Sequence, residues 1–211
     1  MPSSLFFWSY FTKLADTNVL MTLAFLLAAW MACLRRWRET ALWLFLFCGG
    51  LAIVAATKIA YIGWGIGIAS LDFTGISGHA MRAAAVAPVI SVLAVPSRSR
   101  AAIVIALLAA IAFSIAIAVS RLILHQHSMS EVLSGLLLGG ALAAIFLAWS
   151  HYRRITRWNI GLVAACVFIA LAGLMAKPAP TERWIVGIAL YLSGHDQPYG
   201  HPRAFDPARV Q

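Results

Sequence analysis

Acidic side chains are scarce in this sequence: seven Asp and Glu stand against sixteen Lys and Arg, and charged residues of both signs fill only 11% of its 211 positions. A soluble domain carries about 25% charged residues, so a water-soluble globule is excluded. Cysteine is sparse too. Cys33, Cys48 and Cys166 lie far apart with no CxxC spacing, which argues against a disulfide framework or a cysteine zinc site, and they are expected as small buried apolar side chains. No internal repeat, low-complexity tract or inter-domain linker breaks the chain.

What fills the space is apolar residues, 62% of the total. Crossing a hydrocarbon core takes about 20 apolar residues in a helix, and six stretches qualify: between Asp16 and Arg35, between Glu39 and Lys58, and over 78–96, 101–119, 132–149 and 158–176. Short alternating segments, the mark of a membrane barrel, are missing. The expected fold is therefore all-α, a polytopic membrane protein built as a six-transmembrane-helix bundle over 17–176. The aromatic opening, 1–16, has no basic start before its apolar patch, unlike a cleaved signal peptide, and is expected to lie in the membrane interface. WIVGIALYLSG, at 184–194, is too short to span and is expected along the surface or re-entering the bundle, within a C-terminal extension over 177–211.

Basic residues set the orientation. RRWRE at 35–39, PSRSR at 96–100 and HYRRITR at 151–157 hold eight of the sixteen Lys and Arg against one acid, Glu39, so these loops are expected in the cytoplasm. Both termini and the loops 58–77 and 120–131 then face the other side. The net charge of +9 reflects topology and attraction to anionic membrane lipids rather than nucleic-acid binding.

On that far side the polar residues gather. Lys58 closes the second span, Ser77, His79 and Arg82 open the third, Arg121 closes the fourth, and His127 and Glu131 open the fifth. Singly each has a plain explanation: Lys58 and Arg121 as snorkelling span ends, Ser77 as a helix cap, Ser128 and Glu131 as a capping box. His125 and His127 form an H-x-H pair without a third ligand at zinc-site spacing, so no metal is expected. Together, ionisable groups from four spans point to one polar cavity. Lys and Arg bind phosphate oxygens, and a helix start at Ser77-Gly78 adds free N–H groups. Two histidines permit displacement at phosphorus, one ring attacking while the other protonates the leaving oxygen. Glu131, four residues after His127, can orient the attacking ring.

The spacing resembles the type 2 phosphatidic acid phosphatase family of membrane lipid phosphatases, whose site is shared with vanadium haloperoxidases. Its third motif, Ser-Arg, five residues, His, three residues, Asp, matches Ser120-Arg121, LILHQ, His127, SMS and Glu131, with Glu for Asp. The second, Pro-Ser-Gly-His, matches Ile76-Ser77-Gly78-His79 without its Pro. The first, Lys, six residues, Arg-Pro, survives as Lys58 alone, since Gly65-Ile66 stand where Arg-Pro would be. The resemblance covers roughly 40–150. It implies His127 as the nucleophile forming a phosphohistidine, Glu131 as its orienter, His79 as general acid, and Lys58, Ser77, Gly78 and Arg121 as phosphate ligands, with no metal or cofactor. Arg82, one turn below His79, is the expected substitute for the lost Arg, against structural pairing with Asp72 or helix carbonyls. His195, Asp196 and Arg203 of the tail, and His125, are further candidates.

The expected activity is hydrolysis of a lipid phosphate: a polyprenyl diphosphate, phosphatidylglycerol phosphate, phosphatidic acid or lipid A phosphate, at a periplasmic face of a bacterial inner membrane. Two other functions stay open. Gly75-Ile76-Ser77-Gly78 fits the G-x-S-G of rhomboid-type intramembrane serine proteases, with His127 as base and Gly135 and Gly139 behind it; and a polar-lined bundle could be a transporter or an assembly subunit. Nothing in the sequence specifies an oligomeric state.

Overall fold

The computed structural model describes residues 3–95, 99–150, 160–175 and 180–199. Among them the chain is all-α apart from one 3-10 turn, Ala69–Leu71. The helices are α1 (Ser3–Lys13), α2 (Thr17–Cys33), α3 (Trp37–Trp64), α4 (Gly78–Ala94), α5 (Arg100–Ile123), α6 (Met129–Trp149), α7 (Ile160–Met175) and α8 (Thr181–Ser193). Four stretches are long and apolar enough to cross a membrane: Phe6–Cys33, Trp37–Trp64, Arg100–Ile123 and Met129–Trp149; two shorter apolar helices cover Gly78–Ala94 and Gly161–Gly173. The protein is a polytopic membrane protein.

Helices α2 to α7 fall on the six apolar stretches, but several run past them. Lys58 does not close its helix. The residues after it, IAYIGW, are apolar helix-compatible residues, and α3 stops only where Gly65 turns left-handed at φ 71°. Likewise α5 carries Arg121 inside its last turn, and α6 starts at Met129 because Ser128 caps it. Asp16 starts α2 by accepting the Asn18 N–H at 2.9 Å. The aromatic segment is the helix α1, joined to α2 through residues 14–16 and packed against α5 and α7.

The core forms around α4. Most residues of this helix are buried, because it is enclosed by α2, α3, α5 and α6 rather than by lipid. Its Ala-rich sequence suits that position: small side chains let neighbours approach. The closest neighbour is α6, where Gly135 and Gly139 face α4. A Cβ on Gly135 would sit 2.6 Å from the Ser77 carbonyl oxygen, and one on Gly139 would collide with the Met81 carbonyl. Farther along, Trp43 of α3 donates its indole N–H to the Ala24 carbonyl at 2.9 Å, stacks on Phe47 and meets Phe146 edge-on.

The cysteines depart from expectation. Cys33 and Cys48 are exposed on the helix surfaces and Cys166 is half-buried. An apolar side chain on a bilayer-spanning helix has no need of the protein core, since the surrounding solvent is itself apolar.

Candidate functional site

Residues 65–77 carry the chain from α3 to α4 and are stitched to both α3 and α6. Ile68 and Phe73 pair as an isolated bridge. Gly75, at φ 151°, brings the loop onto Lys58; a Cβ there would lie 2.9 Å from Lys58 Cγ. Only glycine fits this approach. The Ile76 N–H donates to Thr57 Oγ1 at 3.1 Å, and the Ser77 N–H donates to the Glu131 carbonyl at 3.0 Å. The start of α4 is thereby held against the start of α6.

Between α5 and α6 the chain turns in five residues. Arg121 accepts from the Gln126 N–H at 3.0 Å and Leu122 from the His125 N–H at 2.9 Å, while His125 turns left-handed at φ 51°. This is a Schellman turn, and it consumes the residues between Arg121 and His127. His125 points away, exposed, and His127 points in, its side chain only 9% exposed. The two rings of the H-x-H pair diverge.

Glu131 serves several partners at once. Its Oε2 lies 2.7 Å from His127 Nδ1 and accepts the Ser128 N–H at 3.2 Å, completing the capping box with Ser128 Oγ. Its Oε1 accepts the Thr74 N–H at 2.8 Å and the Thr74 hydroxyl. Glu131 thus caps α6 and touches the His127 ring with the same carboxylate. A carboxylate only accepts, so Nδ1 of His127 carries the proton and Nε2 keeps its lone pair. Burial pushes the His127 ring below the usual imidazole range; the Glu131 bond opposes this, while Lys58 and Arg121 add to it. At neutral pH the ring is uncharged.

Around it stand the cations. The cations acting on the His79 ring are Arg121, Arg82 and Lys58, and the charged groups acting on Lys58 are Glu182, Arg82, Glu131 and Arg121. Residues from α3, α4, α5 and α6 thus share one electrostatic neighbourhood. Ser77 is the N-cap residue of α4 without a side-chain cap bond, and its buried Oγ has no hydrogen-bond partner among the described residues. The N–H groups of the first turn, Gly78 onward, have no intrahelical acceptor. Arg121 reaches Thr12 Oγ1 at 3.4 Å and Arg82 reaches Thr17 Oγ1 at 2.9 Å, and the buried Nε of each lacks a partner among the described residues. Arg82 also lies against the start of its own helix, with Nη1 3.3 Å from where a Gly78 Cβ would stand. No ion pair joins Arg82 to Asp72 among the described residues; Asp16 is the acid whose field it feels.

The sequence-predicted residues separate into two groups. Lys58, Ser77, Gly78, His79, Arg82, Arg121, His127 and Glu131 come together, whereas His125 faces out. His195 donates from Nδ1 to the Gly63 carbonyl at 2.8 Å, at the end of α3, and Asp196 is exposed. Arg203 lies outside the described residues. Sequence reasoning missed Thr74, whose bond to Glu131 spans 57 positions, and Glu182, whose Oε1 lies 4.0 Å from Lys58 Nζ. No spacing rule links such distant pairs.

Residues 64–155 match the PAP2 superfamily. The chain belongs to the PAP2 superfamily. That match contains Ser77-Gly78-His79 and the whole Ser120 to Glu131 motif, and it begins after Lys58. A relative from Klebsiella pneumoniae, an uncharacterized 22.5 kDa protein in cps region, is 34% identical over 203 residues, 91% of this chain and 94% of the relative. No solved structure matches. Within this PAP2 protein the Gly65 position, where the first motif would place Arg, is roofed by the Tyr199 ring, which a side chain at 65 would strike.

Proposed function

We propose that this protein is a metal-independent lipid phosphatase that hydrolyses a phosphomonoester or diphosphate carried by a membrane lipid, acting through a phosphohistidine at a site on the non-cytoplasmic face of a six-span bundle. The observation that carries the reading is the buried His127–Glu131 pair at 2.7 Å in the shared field of Lys58, Arg82 and Arg121. His127 Nε2 attacks phosphorus, the bond from phosphorus to the lipid oxygen breaks, and His79 gives that oxygen its proton. Glu131 stabilises the cation forming on His127. Water then attacks the phosphohistidine, returning a proton to His79 and releasing inorganic phosphate. Ser77, the α4 N–H groups, Lys58 and Arg121 hold the phosphoryl oxygens, and Arg82 supplies the cation lost at Gly65.

An apolar body with the site at the interface suits a substrate whose tails stay in the bilayer, such as polyprenyl diphosphate, phosphatidylglycerol phosphate, phosphatidic acid or lipid A. An inner membrane with a periplasmic site fits the loop charges. The protease alternative needs a Ser77–His127 dyad, yet Ser77 Oγ bonds to nothing among the described residues. Phosphate release from a panel of these lipid phosphates tests the proposal. His127→Ala is expected to abolish turnover, and His79→Ala to slow it by about a hundredfold to ten-thousandfold; parent-like rates in His127→Ala would remove His127 from the chemistry.

A further inference from the structure

α8 brings an acid to the candidate phosphate cup. Glu182 stands in its first turn, 4.0 Å from Lys58 Nζ, and it is the leading acidic influence on Arg121, ahead of Asp16. The Glu182 side chain is 59% exposed against 20% for Lys58, so the carboxylate lies at the mouth and the ammonium behind it. α8 does not depend on this pair for its place. Gly63 of α3 admits it closely, since a Cβ there would lie 3.2 Å from the Ala189 carbonyl and from Ser193 Cβ. Beyond the helix, His195 donates to the Gly63 carbonyl and the Tyr199 N–H donates to the Ile62 carbonyl at 2.7 Å. These bonds occupy carbonyls that the end of α3 leaves without helical partners. The Lys58–Glu182 pair can therefore open while α8 stays docked.

A cup of three cations at a membrane surface faces a selection problem. Ordinary anionic lipids carry phosphodiester headgroups with one charge each, are abundant at the interface, and would fill an unguarded basic site. We propose that Glu182 is a specificity-determining residue, an internal carboxylate that competes for Lys58 and so excludes monoanionic phosphodiester headgroups while a dianionic terminal phosphate displaces it. A lysine–carboxylate pair of this length, with its carboxylate open to solvent, is weak, and a phosphate dianion making short charge-assisted bonds to Lys58, Arg121 and the α4 N–H groups outcompetes it. A phosphodiester offers the same single charge as Glu182 and gains nothing by exchange. The inference rests on the phosphate cup of the proposed function and adds which phosphates it admits.

The test uses the full chain purified in neutral detergent, with inorganic phosphate as probe and its affinity taken from the rise in melting temperature with phosphate concentration. Glu182→Gln, isosteric and at an exposed position, is expected to bind phosphate about fivefold more tightly than the parent. Glu182→Ala should do the same and Glu182→Asp should stay near the parent. Phosphatidylglycerol added to the micelles should weaken phosphate binding by Glu182→Gln at least about threefold more than it weakens binding by the parent. Phosphate affinity in Glu182→Gln within about twofold of the parent, or equal competition by phosphatidylglycerol in both, overturns the inference. Lipid phosphate turnover by the parent is measured separately and judges the phosphatase reading, so the two failures are told apart.

Discussion

Thr74 contributes two donors, its N–H and its hydroxyl, to one oxygen of Glu131, leaving the other oxygen to His127. Hydrogen bonds to a charged group are worth about 1.5 to 3 kcal/mol each, so Thr74 fixes the carboxylate and draws off part of its basicity. Thr74→Val keeps the shape and the backbone N–H but loses the hydroxyl. Turnover is expected to fall about tenfold, with Thr74→Ser close to the parent. The pH profile separates positioning from mere disruption. In the proposed reaction His127 attacks only when neutral, and burial, the largest influence, holds it below the ordinary value of about 6.5. The attacking ring is therefore available at neutral pH, and the acid limb of activity, where this ring protonates, is expected at a midpoint lower than that. Thr74→Val leaves Glu131 a stronger acceptor, which stabilises the protonated ring and should move that acid limb upward; an unshifted limb with reduced turnover would refute the role given to Thr74. At this scale the sequence was informative about local pairs and silent about distant ones. His127 and Glu131 are four apart and were expected to meet. Thr74 and Glu182 reach the site only because the loop 65–77 and α8 fold back onto it, and no periodicity records that.

Helix α4 meets α6 through Gly135 and Gly139, and the two neighbouring glycines of α6 make a controlled comparison. A Cβ at Gly139 would overlap the Met81 carbonyl, whereas one at Gly140 would meet nothing within 4 Å. Overpacking a tight contact costs about 1 to 3 kcal/mol, and backbone atoms cannot step aside as a side chain can. Gly139→Ala is expected to lower the melting temperature in detergent and to reduce turnover, because the Ser77–Glu131 backbone bond that aligns the two helix starts lies along the same interface. Gly140→Ala, which gains helix propensity on an open face, is expected to be neutral or slightly stabilising. Equal effects of the two would mean that the helices do not approach at Gly139. The positions of α2 to α7 were legible because each needs an apolar run, and so were the start of α4 at Gly78 and the end of α6 at Trp149; the ends of α3 and α5 were not. Charge-free stretches mark where lipid begins, while helices stop where a turn takes over, as at Gly65 after α3 and at the His125 turn after α5.

For the molecule as a whole, the proposed topology puts the candidate site and the basic loops on opposite sides of the membrane. α3 begins within the RRWRE cluster and carries Lys58 more than three-quarters of the way along its 28 residues. At about 1.5 Å per residue the distance from Trp37 to Lys58 is about 31 Å, close to the hydrocarbon thickness. Lys58 then reaches the far boundary, and the last turns of α3, with α8 packed on them, stand in the interface beyond it. Trp184 and Tyr191, both exposed on α8, suit that level. By the positive-inside bias, the proposed topology has the sequence clusters at 35–39, 96–100 and 151–157 on the cytoplasmic side. Single cysteines test this in a chain whose three native cysteines are replaced by Ala. Asp72→Cys lies in the exposed α3–α4 loop and Arg38→Cys is exposed at the start of α3. A membrane-impermeant thiol reagent applied to intact spheroplasts is expected to label the first, and to label the second only after the membrane is opened. The reverse pattern would put the phosphate cup in the cytoplasm and the substrate in the inner leaflet. Labelling of both before opening would mean that α3 does not cross the bilayer.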